Sequence, residues 1–457
     1  LGKPTVAPDN LILPDYWLAP PVLQRSLAMT RLSRRRFLRQ GALSGAGLWL
    51  AAGAAAGERG SPSEKLNLAF VGCAGRGQDN LNALAAQNVV ALCDADEKRA
   101  GPAFERYPKA RRFGDYRKML DAVHRQIDAV VVSAPNHIHA PASVTAMRLG
   151  KHVYCEKPLT HSVYEARVAA QVAAEKKVAT QMGTQIHASG NYRRAIELVR
   201  AGAIGAIREV DVWTMAAEGG GDRPKDTPPV PATLDWDVWL GPAPYRPYHP
   251  CYLPRQWHFW WDFGGGVLGN VGCHFMDLPF WALALRHPAT IEAEGSPLHP
   301  ETTPPKMLIR YEFPARGAMP PVRLTWYQGR RSPRVETAGV PAWETGFLFV
   351  GDGGMLLADY NRHALLPEAK FAGFKPPERS IPESIGHYAE WVAACKTGSP
   401  TGCNFDYAGA LTETVLLGNV AFRAGRKLQW DAVALRATNC PEAERYIRRE
   451  YRTGWTL

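Results

Sequence analysis

The chain is poor in cysteine, with eight in 457 residues and no Cys-x-x-Cys pair. That excludes a disulfide-stapled scaffold and the common zinc and redox dithiol motifs. The thiols of Cys73, Cys93, Cys155 and Cys273 are expected to be buried and reduced. No His/Cys/Asp/Glu cluster has metal-ligand spacing, and His137 and His139 stand two apart, so no metal is expected. Internal repeats are missing, and so are low-complexity tracts beyond the first sixty residues. A basic stripe interleaved with aromatics is missing too, although the net charge is +11. Residues 1–60 hold 8 Lys/Arg against 3 Asp/Glu, and the remainder holds 46 against 40. Much of the basicity therefore sits at the N-terminus, and nucleic acid is not an expected partner.

What is present begins with a leader. Ser33-Arg34-Arg35-Arg36-Phe37-Leu38 precedes an uncharged Ala/Gly/Leu run from Gln40 to Gly57 that contains Ala54-Ala55-Ala56. A basic segment, an apolar segment and a small-residue cleavage site, in that order, read as a signal peptide, here of the twin-arginine type. The run is short and weakly apolar for a membrane span. The expectation is export to the periplasm with no stable span after cleavage, or a membrane anchor should the signal be retained. Residues 1–28 fit neither signal nor domain, and Met29 is the expected start. The chain divides into this leader (1–60), a dinucleotide-binding domain (61–184) and a second domain (185–457).

Leu66–Val71 is a mostly apolar run that reads as a buried strand, and it ends in Gly72-x-x-Gly75-x-Gly77. A helical stretch follows, then a second strand, Val89–Cys93, and Asp94 at its tip. Glycines between a strand and a helix let backbone N–H groups approach a pyrophosphate at the helix N-terminus. An acid on the next strand can accept both ribose hydroxyls and repels a 2′-phosphate, which favours NAD over NADP. Arg99 softens that preference. Ile127–Ser133 and His152–Cys155 read as further strands, closed by Ala134-Pro135-Asn136-x-x-His139 and Glu156-Lys157-Pro158. Strands alternating with helices indicate a doubly wound parallel sheet, whose ligands lie beyond the strand carboxyl ends. Gly72, Asp94, Asn136 and Lys157 all fall there.

The second domain reads as α+β with a large, mostly antiparallel open sheet. Its strand-like runs are Arg208–Thr214, Met307–Phe313, Val322–Tyr327, Phe347–Val350 and Met355–Ala358. Residues 216–262 form a long insert rich in Pro and aromatics, and inserts of that length are commonly functional. At least one of its aromatics, with Trp261 the candidate, is expected to face substrate; the rest suit packing of the insert itself. Gly264-Gly265-Gly266 leads into a helix with Asn270 and His274 one turn apart. Asp277 is placed either to orient His274 or to face the core. His187 is a candidate substrate contact, and His249 and Arg255 are weaker ones.

The order of these motifs resembles the Gfo/Idh/MocA oxidoreductases (glucose-fructose oxidoreductase, inositol dehydrogenase, rhizopine catabolism), in a twin-arginine-exported bacterial subgroup. The resemblance covers residues 64 to 290 motif by motif. It implies that Gly72, Gly75, Arg76, Gly77, Asp94, Pro135, Asn136, His139, Glu156 and Lys157 contact the cofactor. It further implies that Lys157 lies beside the nicotinamide and the reacting hydroxyl, with His274 in proton transfer. In that family the fourth residue before the histidine is usually aspartate, whereas here it is Asn270. Asparagine can orient an imidazole but cannot stabilise an imidazolium by charge.

Three functions follow as expectations. The first is an NAD-dependent oxidoreductase acting on a sugar or polyol. The second is an NAD-dependent glycosidase that oxidises its sugar transiently. The third is a non-enzymatic dinucleotide-bound protein. A homo-oligomer is expected because an open sheet face needs covering.

Overall fold

A computed structural model describes residues 65–457. The leader, its twin-arginine motif and its cleavage site lie outside the described residues.

The first sheet has six parallel strands in the order β3-β2-β1-β4-β5-β6. They are β1 (Asn67–Val71), β2 (Asn88–Cys93), β3 (Arg111–Phe113), β4 (Ala129–Val132), β5 (His152–Glu156) and β6 (Thr180–Gly183). Between them run α1 (Arg76–Ala83), α2 (Glu97–Arg106), α3 (Tyr116–Val123), α4 (Asn136–Arg148) and α5 (Val163–Lys176). Side chains alternate across each strand. Leu68 and Phe70 of β1 pack with Leu81 of α1 and Phe104 of α2, while Ala69 and Val71 pack with Met119, Val144 and Val163 of α3–α5. Both faces are apolar, as a covered parallel sheet requires.

Local crossovers leave the α1/α2 face bare over β4 and β5. It is filled from far along the chain. Trp391 joins the cluster of Leu68, Phe70, Val131 and Tyr154, and Tyr388 stacks on Tyr154 at 5.2 Å.

The chain continues through α6 (Gly190–Arg200) into β7 (Ile207–Thr214), then α7 (Gly266–Phe275) and α8 (Asp277–Ala282). Strands β8 (Thr290–Gly295), β9 (Met307–Phe313), β10 (Val322–Gln328), β11 (Thr345–Gly351), β12 (Gly354–Ala358) and β13 (His363–Leu366) follow. Two helices, α9 (His387–Thr397) and α10 (Phe405–Ala424), precede β14 (Leu428–Asp431) and β15 (Arg436–Ala437). The second sheet runs β13-β12-β11-β7-β10-β9-β8-β14-β15. Its pairs are antiparallel except β7 with β10, which are parallel. One apolar core joins the two sheets through α5, α7 and α10, so the division near residue 184 separates two sheets rather than two cores.

The outer face of the second sheet is largely dressed by the chain itself. Val340 packs on Trp213, Leu348 and Leu357, and Trp213 Nε1 donates to the Trp343 carbonyl at 2.9 Å. Elsewhere that face carries ion pairs, Arg310–Glu294 at 3.1 Å and Arg323–Glu312 at 2.6 Å. Among the described residues no helix is long and apolar enough to cross a membrane.

The aromatic insert packs mainly on itself. Trp236, Trp239, Tyr252, Trp260 and Phe263 form one buried cluster, with Trp236 and Trp239 stacked at 4.8 Å. The insert also straps onto the first sheet directly after Asp94. Glu97 N donates to the Thr233 carbonyl at 2.9 Å, and Asp235 N to the Ala95 carbonyl at 2.8 Å.

Candidate active site

The glycine loop is shaped for close backbone approach. Gly72 has φ +86°, and a Cβ there would lie 2.7 Å from Ala134 N. A Cβ on Gly77 would lie 2.1 Å from the Gly72 carbonyl oxygen, so nothing larger than glycine fits that turn. Asp94 closes the loop, its Oδ2 accepting from Cys73 N at 2.8 Å and its Oδ1 from Asp96 N at 3.0 Å. Burial raises its pKa, opposed by those two N–H groups and by Arg99. Each oxygen retains a lone pair for a further donor.

Glu156 lies at the end of β5. Its Oε1 accepts from Arg76 Nε at 3.2 Å, Asn80 Nδ2 at 3.0 Å and Gln185 Nε2 at 3.1 Å. Its Oε2 is buried with no hydrogen-bond partner, and so is Oδ1 of Asn136 at the start of α4. Two orphaned acceptors at adjoining strand ends are what a bound group with hydroxyl or amide donors would satisfy. The glycine cradle, Asp94 and these acceptors fit a dinucleotide. The loop from Gly72 to Gly77 would hold its pyrophosphate, Asp94 one ribose, and Asn136 with Glu156 the other end.

Two cofactor candidates serve other roles. Both ring nitrogens of the buried His139 lie on backbone carbonyls, Nδ1 on Pro158 at 2.8 Å and Nε2 on Ala134 at 2.7 Å. It ties the Pro135 and Pro158 loops together and keeps no ring nitrogen for a ligand. Arg76 reaches across to Glu156 and Asp79, fixing that carboxylate rather than standing free at the loop.

Lys157 precedes a cis proline. Its Nζ donates to the Asn270 carbonyl at 2.6 Å and to Asn270 Oδ1 at 2.8 Å. The expected pairing of Asn270 with His274 is thus corrected: the asparagine holds the lysine across 113 residues of sequence. Burial pushes the Lys157 pKa down to about 8, against the pull of Glu156 and helped by Arg76 and Arg255. His274 is 1 % exposed. Burial first, then Lys157 and Arg76, hold its pKa well below the usual imidazole range. It is a neutral ring at physiological pH.

Asp277 does not orient His274. Its carboxylate takes Nδ1 of His187 at 3.0 Å and the Tyr407 hydroxyl at 2.6 Å. His187 also stacks on Trp281 at 4.0 Å. At 2 % and 0 % exposure, His187 and Asp277 form a buried pair in which Nδ1 of the imidazole is spent on the carboxylate. Trp261 is likewise displaced from the expected place. It is buried, its Nε1 donates to the His299 carbonyl at 3.1 Å, and it lines a cleft that Lys157, Asn270 and His274 do not line.

His258 is a neighbour of Lys157 that sequence reasoning missed. Its Nδ1 is buried without a partner, and burial, then Lys157 and Arg255, press its pKa well below normal. A Cβ on Gly264 would lie 2.6 Å from the His258 carbonyl oxygen, so the glycine run lets this turn lie against α7. The signal was its place eight residues before Gly266, in the aromatic string that leads into α7. Among the described residues no group of three metal-ligating side chains occurs, and all eight cysteines are free.

Residues 66–184 match the oxidoreductase family with an NAD-binding Rossmann fold, and residues 209–317 match that family's C-terminal α/β domain. An uncharacterized oxidoreductase of Rhizobium meliloti is 32% identical over 122 residues, 27% of this chain and 36% of that one. A 1,5-anhydro-D-fructose reductase of Ensifer adhaerens is 30% identical over 37% of this chain and 44% of its own. The inositol 2-dehydrogenase of Salmonella typhimurium is 29% identical over 31% and 43%. The chain thus spans less than half the length of these curated relatives. The WlbA dehydrogenase from Bordetella pertussis, solved with NADH and UDP-GlcNAcA, shares the fold at 16% identity, with TM-score 0.58 over 80% of this chain and 99% of that one. By its matched Rossmann and C-terminal α/β segments, the chain belongs to the Gfo/Idh/MocA oxidoreductase family.

Proposed function

We propose that the protein oxidises a CH–OH carbon of a sugar or polyol with NAD, or in reverse reduces the matching carbonyl with NADH. The observation that carries this reading is Lys157. It is a half-buried ammonium with a pKa of about 8, at the strand ends that also carry the orphaned acceptors of Glu156 and Asn136. A dinucleotide there supplies hydride acceptance, which is the cofactor's own chemistry. Lys157 polarises the substrate oxygen and exchanges its proton, since a group titrating near neutrality suits that task. Asn270 fixes the direction of the ammonium. His274, neutral and a weaker base than Lys157, serves as a hydrogen-bonding partner of the substrate rather than as the first proton acceptor. Asp94 favours NAD over NADP by its charge. The sugar relatives support the substrate class.

A second reading, a glycosidase that oxidises its sugar transiently, is favoured by the insert strapped beside Asp94, which suits a cofactor recycled in place. A non-enzymatic role fits poorly with Lys157 and His274 both in position. The test is absorbance at the NADH band with purified protein, NAD and a panel of free sugars. Stoichiometric NADH supports the first reading. Product from a glycoside without net NADH sinks it in favour of the second.

We also infer export through the twin-arginine motif and residence in the periplasm, in line with a basic, then apolar, then small-residue leader. Replacing Arg34 and Arg35 by lysine should retain the protein in the cytoplasm on cell fractionation; unchanged export refutes it. A homo-oligomer remains part of the proposal. Sedimentation at micromolar concentration tests it, and a monomer mass overturns it.

A further inference from the structure

A cleft of about 630 Å³ lies among the N-terminus of α5, the glycines 264–265 and the C-terminal half of α10. That volume is in the range of small-molecule sites. Arg423 lines it, with its guanidinium carbon 4.8 Å from the Trp261 ring centroid and 4.1 Å from that of Tyr446. Cation–π contacts hold a guanidinium by its face and leave its N–H edge unspent. Among the described residues no carboxylate or carbonyl takes that edge. Asp262, an acid in the same cleft wall whose charge acts on Arg423, is already paired with Arg246. Arg423 is half-buried, and a half-buried cation without an ion pair is stabilised by a ligand that supplies the counter-charge. Burial accordingly pulls the Arg423 pKa down to about 10.

Two more polar atoms in the cleft wall are orphaned. Asn419 is 7 % exposed; its Nδ2 donates to the Gly265 carbonyl at 2.9 Å, and its Oδ1 is buried with no partner. Nδ1 of His161 is buried without a partner as well. The other charges largely cancel. Arg449 is spent on Glu165 at 2.7 Å and Arg448 faces Glu444 at 3.9 Å, while Arg445 donates to the Tyr446 hydroxyl at 2.6 Å and Glu450 balances its charge in the lining. The unmet demand is therefore local: one anionic group for Arg423 and one hydroxyl donor for Asn419.

We propose that this cleft is a second ligand site, separate from the Lys157 site, for a small hydroxylated oxyanion such as a sugar acid or a sugar phosphate. Its carboxylate or phosphoryl oxygens pair with the edge of Arg423 in the bidentate manner guanidinium favours, and a hydroxyl donates to Asn419 Oδ1. No bond is made or broken there.

The experiment is calorimetric titration of the full chain, saturated with NAD so that the cofactor's own phosphates cannot account for binding. The probes are glucose 6-phosphate and glucuronate, with glucose and inorganic phosphate as controls. One of the two acids should bind in the sub-millimolar range, and glucose at least about tenfold more weakly. Arg423→Met keeps the stem between the rings and removes the donors; it should weaken the acid about ten- to a hundredfold. Should Arg423→Met fail to fold by circular dichroism, Arg445→Glu at the exposed rim should weaken the same acid. No binding of either acid up to about 10 mM, or affinity unmoved by Arg423→Met or by the rim variant, overturns the site. Inorganic phosphate binding as tightly as glucose 6-phosphate overturns the hydroxyl contact at Asn419.

Discussion

Asn270→Asp tests the arrangement at its most sensitive contact. The Oδ1 of Asn270 lies 2.8 Å from Lys157 Nζ, and the substitution turns that neutral acceptor into an anion with almost no change of shape. Two unit charges about 4 Å apart interact by roughly 4 kcal/mol at the effective dielectric of a protein site, which sets a scale of about 3 pH units. Measured partners at this range shift a pKa by about 1–3 units. The Lys157 pKa, now about 8, should therefore rise to about 9–11. The sign follows from charge: a carboxylate stabilises the ammonium, so more alkali is needed to free the amine. If the neutral amine accepts the substrate proton, the rising limb of the pH profile of kcat/KM for sugar oxidation moves to higher pH by that amount. Near pH 7.5 the variant is then slower by about tenfold or more. The assay is NADH formation from pH 6 to 11 with the responding sugar. A limb that stays in place refutes the assignment of the titration to Lys157. A carboxylate raises the pKa of any base it faces, so a limb that shifts to lower pH refutes the pairing as well.

Four further outcomes are expected. Lys157→Met should lower turnover by about 10²–10⁴-fold with NAD affinity unchanged by fluorescence titration; retained activity removes Lys157 from the chemistry. Gly77→Ala should abolish NAD binding in calorimetry, because its Cβ would meet the Gly72 carbonyl at 2.1 Å. Asp94→Ser should weaken NAD about ten- to a hundredfold while NADP loses nothing. His187→Leu strands the buried Asp277 carboxylate and should cost about 3–5 kcal/mol in denaturant unfolding; an altered KM at full stability would return His187 to the substrate site.

The parts of the site that were legible in the sequence are those fixed by local chain geometry. A glycine turn between an apolar strand and a helix, an acid at the next strand tip and a lysine after β5 follow from a period of two and a turn. The pairings between elements were not legible. Asn270 and His274 share a helix face, yet Asn270 reaches a lysine from another domain, because α7 packs across the end of β5. Asp277 looked able to serve His274 but meets His187, since α8 turns toward α6 and α10. His139 fell on the right strand end, yet its two nitrogens were committed to loop carbonyls that no spacing reveals. Of the fold, the central strands of both sheets could be read from their patterns, but the short edge strands β3, β13, β14 and β15 and the polar β8 could not. The cover of the first sheet by Trp391 could not, because it arrives from some 230 residues beyond β5.

The pairing of residues 233–235 with 95–97 has a thermodynamic meaning. Whatever fills the space at Asp94 and steadies that strap is steadied by it in return, because such coupling is reciprocal. An occupant's affinity therefore carries the free energy of closing the strap. Releasing the strap means breaking two backbone hydrogen bonds, Glu97 to Thr233 and Asp235 to Ala95.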